Sequence, residues 1–216
     1  MYQSAGKRAF DLVLGLGLIL VALPVIAVCA VGSAVAFRTW PIFVQPRLGR
    51  DGREFRFIKL RSLPRSTPRQ LDKNAVKQLA IPRWGRFLRR FHLDELPELM
   101  LVPLGRMSLV GPRPEMPEIA ARYSPDFLAT RLSVRPGCTG LWQVSEAVEG
   151  MIYEAPEYDS AYVANVSARL DAWILLKTVS STLFGRQIGS LDEVPGSLLP
   201  NGPGLPAGPT AQAPTV

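Results

Sequence analysis

From Leu12 to Phe37 the chain carries 26 consecutive residues without a charge. As helix at about 1.5 Å per residue they reach about 39 Å, more than the roughly 30 Å of a bilayer's hydrocarbon core. The run is too long for a signal-peptide core, and no small-residue cleavage site leads from it into a cysteine-bearing domain. A membrane segment is the expectation. Pro24 falls at its middle, where a proline removes one hydrogen bond and crowds the preceding turn, so a kink is expected there. Lys7 and Arg8 flank one end, and Arg38 with the basic run after it flanks the other. The positive-inside rule wants both flanks cytoplasmic, which one straight span does not provide. A helix broken at Pro24 that enters and leaves the same leaflet provides it. A kinked single span with a short external N-terminus is the alternative.

The remaining chain has room for one core-bearing domain. Net charge is +7, and fifteen Lys and Arg stand against three Asp and Glu between Arg38 and Arg90. Such a face suits nucleic acid, anionic head groups or phosphorylated substrates. Nucleic acid is disfavoured, because neither interleaved stacking aromatics nor a base-reading motif accompanies the charge. The two cysteines, Cys29 and Cys138, form no disulfide framework, and one histidine, His92, excludes a His-based triad or a zinc site.

After Trp40 and Pro41, the stretch Ile42-Phe43-Val44 and the run Phe55, Phe57, Ile58 read as two strands around the turn Gly49–Gly52. Lys59 and Arg61, two apart, share a strand face. Pro64 to Lys77 is polar and proline-punctuated, a loop. Trp84, Phe87, Leu88 and Phe91 recur at helical spacing among arginines, which fits an interfacial helix or a core helix. Two short helices joined at Ser124-Pro125 follow between Glu115 and Ser133. Ala155 to Asn165 is helical, with Asp159 and Tyr162 three apart, and Leu170 to Val179 forms an amphipathic helix. From Arg186 the proline and glycine content predicts a disordered tail.

The stretch from Phe91 to Glu115 holds the chemistry. Asp94 and Glu95 are adjacent carboxylates behind an arginine-rich run, and Gly111-Pro112-Arg113-Pro114 is a stiff segment with one cation. An acidic pair in a basic surround suits phosphate handling. The plainer reading makes Asp94 an N-cap of a helix with Pro97 in its first turn. Arg135-Pro136-Gly137-Cys138-Thr139-Gly140 is a turn-rich loop, ordinary or anion-binding.

Taken in order, Lys7-Arg8 with Phe10-Asp11, the proline-bearing apolar run, FVQPRLGRDGREFRFIKLRS, GRFLRRFHLDELPEL, MSLVGPRPEMPE, RPGCTGLWQV and LDAWILLKTV resemble the bacterial sugar transferases, the monotopic phosphoglycosyl transferases. The resemblance covers about residues 7 to 180 and looks like the family's minimal form. It implies a mostly helical α/β monotopic membrane enzyme. Residues 1–38 would be the re-entrant helix, 39–185 the cytosol-facing catalytic domain with a small β-hairpin and interfacial helices, and 186–216 the tail. It implies transfer of a sugar-1-phosphate from a UDP-sugar to polyprenol (undecaprenyl) phosphate at the cytoplasmic membrane, with Mg2+. Asp94 is then the nucleophile of a covalent phosphosugar intermediate, and Glu95 its partner in metal binding. Arg113 becomes a phosphate clamp, and Lys59, Arg61, Arg89 and Arg135 further contacts to phosphate or head groups. An exposed carboxylate at a helix start, ionised by the dipole, suits that role. A homo-oligomer is compatible with the sequence. Arg106 replaces a usual Asp, Glu98 a usual Gln, Leu63 a usual Met and Leu23 a common Ser. Arg106 and Glu98 motivate the alternative of a catalytically lapsed membrane scaffold.

Overall fold

The computed structural model describes residues 2–68 and 73–202. Helix α1 spans Lys7–Phe37, after a π-helical turn at Tyr2–Gly6. Its buried residues are Lys7, Asp11, Gly15, Ala22, Ile26, Cys29 and Ser33, which recur at helical spacing as one stripe. The rest of its surface is apolar and open, with Val13, Leu20, Val21, Val28 and Val35 each more than two-thirds exposed. A helix apolar all round but packed on one side suits lipid rather than water.

Pro24 does not end the helix: α1 runs unbroken through it, where a break was expected. Proline costs a helix one donor and local crowding, which a long helix held elsewhere can absorb. α1 is held at both halves. Near its start, Lys7 Nζ lies 2.7 Å from Asp171 Oδ2, and Arg8 donates to the carbonyls of Val102 and Pro103. One turn on, Asp11 Oδ1 accepts from Ser108 Oγ at 2.9 Å and from the Leu109 amide at 3.0 Å. Lys7, Arg8 and one oxygen of Asp11, the charged residues before the apolar run, are therefore partnered inside the protein. Near the other end, Trp84 donates to Ser33 Oγ at 3.1 Å, with its ring laid across Gly32. A Cβ on Gly32 would fall 2.3 Å from that ring, so only glycine admits it.

Strands β1 (Ile42–Leu48) and β2 (Glu54–Leu60) form the expected antiparallel hairpin, pairing Ile42 with Leu60 and Leu48 with Glu54. Asp51 and Gly52 turn it in the left-handed region. The expected loop beyond contains a short helix α2 at Lys73–Lys77, and α3 follows at Arg83–Arg90. A 3-10 turn at Leu96–Leu101 leads to β3 (Ser108–Val110), which pairs in parallel with β4 (Gly137–Thr139). Between them lie α4 (Pro117–Ala120) and α5 (Pro125–Leu132), the latter capped by Ser124 as the Ser-Pro junction implies. Helices α6 (Glu157–Ala164) and α7 (Ala168–Phe184) complete a mostly helical fold with two small sheets.

The main core gathers Phe57, Met107, Leu109, Leu141, Tyr162, Leu170 and Ile174. A smaller cluster joins Ala22, Ile26 and Cys29 of α1 to Leu60 and Leu88. α3 thus buries Leu88 while leaving Phe87 and Phe91 partly open, and α7 leaves Leu176, Val179, Leu183 and Phe184 exposed. Disorder from Arg186 does not hold as far as Gly202. Ile188 is fully buried and bonds with Val144 and Glu146, while the Asn201 amide donates to Asn165 Oδ1. Proline and glycine content weighs against regular elements, not against packing. Residues 203–216 of the expected tail lie outside the described residues.

Candidate active site

Asp94 is placed by the way the chain leaves α3. His92 adopts a positive φ of 53°, and the turn it makes lets the Asp94 carbonyl accept the Leu60 amide at the end of β2, 2.7 Å away. Ser62, just beyond β2, donates to Asp94 Oδ2 at 3.0 Å, and Oδ1 receives no hydrogen bond from the described residues. Gly85 of α3 presses on the Ser62 carbonyl so closely that a Cβ there would fall 2.0 Å from the oxygen. Asp94 is not a helix cap. The 3-10 turn begins after Glu95, with Pro97 in its first positions and no side-chain cap bond. Nor is Asp94 exposed: 4% of its surface is open.

Glu95 and Arg113 form a two-pronged pair, Arg113 Nη1 donating to Oε2 at 3.1 Å and Nη2 to Oε1. Such fork-to-fork pairing fixes orientation as well as charge. Arg113 comes from the loop after β3, which is seated against β4 by a bond from the Gly111 amide to the Thr139 carbonyl and one from the Gly137 amide to the Pro112 carbonyl. The backbones approach so closely that a Cβ on Gly111 would stand 2.5 Å from the Arg135 carbonyl.

Electrostatics separate the carboxylates. Burial, then the neighbouring Glu95 charge, pushes the Asp94 carboxyl up, opposed by Lys59, Arg89 and the Ser62 hydroxyl. Burial also pushes Glu95 up, but Arg113 overrides it and holds Glu95 well below the usual carboxylate range. Burial and then Glu95 drive Glu98 well above that range. Lys59 is pulled down by burial, against the attraction of Glu95 and Asp94. Neighbouring carboxyls pushed in opposite directions make this cluster a functional-site candidate.

Of the residues expected from sequence, Asp94, Glu95, Arg113, Lys59 and Arg89 act on one another here. Arg61 stands beside Lys59 over the Phe43 ring and donates to the Trp40 carbonyl. Arg135 donates instead to the Gly105 carbonyl, in the loop that Arg8 also holds. Pro24 lies within α1, whose Ala22 and Ile26 belong to the cluster containing Leu88. Arg106 is exposed and lines an open groove of about 840 Å³ with Arg56, Glu54 and Leu104, so it does not enter the carboxylate site. Sequence reasoning gave no role to Ser62 or to Glu98, which is 4% exposed. Ser62 carried no local signal and Glu98 stood out only as a departure from a usual Gln, because the surroundings of both depend on long-range contacts.

A magnesium ion commonly takes one or two carboxylates and completes its shell with substrate phosphate and water. Among the described residues no cluster of three His, Cys, Asp or Glu is arranged to hold a metal. Asp94 Oδ1, without a hydrogen bond, beside the Glu95 carboxylate, fits an ion shared with a diphosphate.

Paired carboxylates in a cationic surround thus stand in a domain packed on an apolar helix. The chain belongs to the bacterial sugar transferases, whose family model matches residues 2–185. It is 37% identical over 203 residues to a UDP-galactose-lipid carrier transferase of Erwinia amylovora, covering 82% of this chain and 40% of that protein. It is 32% identical over 196 residues to an undecaprenyl-phosphate glucose phosphotransferase of Komagataeibacter xylinus, covering 83% of this chain and 36% of that one. The exopolysaccharide production protein ExoY of Sinorhizobium fredii is 30% identical over 197 residues, covering 83% of this chain and 86% of ExoY. The chain thus spans well under half the length of the first two relatives and most of the third.

Proposed function

We propose that this chain transfers a sugar-1-phosphate from a UDP-sugar to polyprenol phosphate, giving polyprenol diphosphate sugar and UMP. The observation that carries the reading is the division of labour within the acidic pair. Glu95 is neutralised by Arg113, while Asp94 keeps one oxygen without a hydrogen bond among the described residues. An Asp94 oxygen attacks the sugar-bearing phosphorus, an O–P bond forms, and the bond to the UMP phosphate breaks with its electron pair leaving on UMP. A phosphate oxygen of the polyprenol then attacks the same phosphorus and releases Asp94. Two displacements replace one. Arg113, Lys59 and Arg89 offset the charge that would repel an incoming carboxylate. Asp94 and Glu95, with the donor's diphosphate oxygens, would hold Mg2+, which supplies further charge neutralisation when bound.

The acceptor head lies at a membrane surface, and so does the site in this reading. Lys7 and Ser33, at opposite ends of the buried stripe on α1, bond the same domain. A straight span would carry that domain and its charges through the bilayer core, which is costly. A helix that bends at Pro24 while staying helical, and so enters and leaves the cytoplasmic leaflet, would avoid this. An Ala5→Cys variant labelled from the periplasm in intact cells would overturn that topology.

The reaction is tested by incubating purified protein in native-lipid nanodiscs with Mg2+, polyprenol phosphate and a panel of UDP-sugars. Lipid-linked product and a phosphosugar adduct on Asp94 in the mass spectrum are expected. The relatives' names speak of galactose and glucose, which the panel includes. Asp94→Asn turning over at the wild-type rate would sink the covalent mechanism.

A further inference from the structure

The Pro112-Arg113-Pro114 segment has all three of its carbonyls taken by donors from distant parts of the chain. Pro112's accepts from the Gly137 amide at 2.9 Å, Arg113's from Arg131 Nη2 at 2.6 Å, and Pro114's from Arg47 Nη1 at 3.0 Å. Proline at 112 and 114 restricts the intervening backbone, so the segment behaves as a short rod. The rotation of that rod decides where the Arg113 guanidinium points.

Arg131 is built to set that rotation. It sits on α5 and donates from Nε to Asp159 Oδ2 on α6 at 2.7 Å, which leaves the other arm of the fork on the Arg113 carbonyl. Its guanidinium lies against the Tyr123 ring, 5.1 Å from the centroid, and the Phe127 ring at 5.6 Å. The pair is almost wholly buried, with 4% and 1% of the two side chains open. A buried ion pair is a poor device for stability alone, since well-packed apolar residues often serve as well or better. Arg131 pairs with Asp159 on α6, away from the acidic pair of the site.

We propose that Arg131, oriented by Asp159, is a positioning residue that aims Arg113 at Glu95 and at the donor's diphosphate. The proposal rests on the transferase reading. A planar fork reaches Asp159 Oδ2 and the Arg113 carbonyl together, whereas a lysine ammonium is a point charge on a flexible stem. Arg131→Lys therefore keeps the charge and loses the aim.

The test measures steady-state kinetics and thermal melting of full-length protein in nanodiscs, with the UDP-sugar that the wild type uses. Arg131→Lys is expected to lose about tenfold or more in kcat/KM for the donor, the size of effect that a small misplacement produces. The acceptor KM and the melting temperature should stay near wild type. The same substitution in an Arg113→Lys background should cost less than about twofold, because residues acting through one another are not additive. An undiminished donor kcat/KM in Arg131→Lys would overturn the proposal. So would an equal loss in the Arg113→Lys background, or a fall of donor and acceptor kinetics together in step with melting. Should Arg131→Lys fail to fold, Asp159→Asn carries the same comparisons with the same outcomes. A wild type that transfers nothing from any donor overturns the transferase reading itself, and this proposal with it.

Discussion

Arg113 grips both carboxylate oxygens of Glu95 across eighteen residues of chain. The pair ties the stiff segment after β3 to the acidic pair beyond α3, and leaves Asp94 as the member without a full partner. Arg113→Ala would strand Glu95 in a largely buried site, at a cost of about 3 kcal/mol. Glu95 has a lowered native pKa, so its contribution is present above the unfolded value of about 4.3 and is lost as pH falls through the native one. Urea unfolding in detergent should show a gap between wild type and Arg113→Ala that is wide at pH 7 and narrows on acidification. A gap independent of pH would contradict the assignment.

In the proposed mechanism Asp94 attacks in its ionised form, and burial with the Glu95 charge holds its pKa above the ordinary value. The acid limb of kcat/KM should lie above the usual aspartate range of about 3.9. Arg89 opposes that rise, so Arg89→Gln should move the limb to higher pH. A limb that stays in place, or moves down, would show that another group controls it.

Glu98 is raised well above its ordinary value by burial and by Glu95. Between the unfolded and native pKa values the folded state binds the extra proton, so stability falls as pH rises through that window. Glu98→Gln keeps the shape and removes the titration. The variant should be more stable than wild type at pH 8, with a flatter stability profile. Superimposable profiles would refute the protonated form.

Gly85 lets α3 close on the Ser62 carbonyl, and Ser62 in turn holds Asp94. Gly85→Ala should force them apart and lower turnover by about tenfold or more. Ser62→Ala, which removes the hydroxyl but not the packing, should have a smaller effect. Equal activity of wild type and Gly85→Ala would mean that the contact does not position the nucleophile.

Much of this was legible from local pattern. The apolar run from Leu12, the hairpin around Gly49–Gly52 and the helix around Leu88 follow from periodicity and turn chemistry, both short-range properties. Asp94, Glu95 and Arg113 stood out because residue types and order carry a resemblance even where each motif is weak. The tail was misread as far as Gly202 because its contacts, such as Asn201 with Asn165, lie far away in sequence.

The sequence by itself determined that an apolar helix is followed by a basic domain, and it singled out Asp94, Glu95 and Arg113 as the candidates for the chemistry. Only the tertiary structure decided that α1 continues through Pro24 with both halves held, because packing along the stripe can offset one missing hydrogen bond. It also decided that Asp94 is buried rather than capping a helix, that Glu95 and not Asp94 takes Arg113, and that Arg106 lies outside the site. Those outcomes depend on distance and desolvation between residues far apart in the chain, which no local pattern encodes.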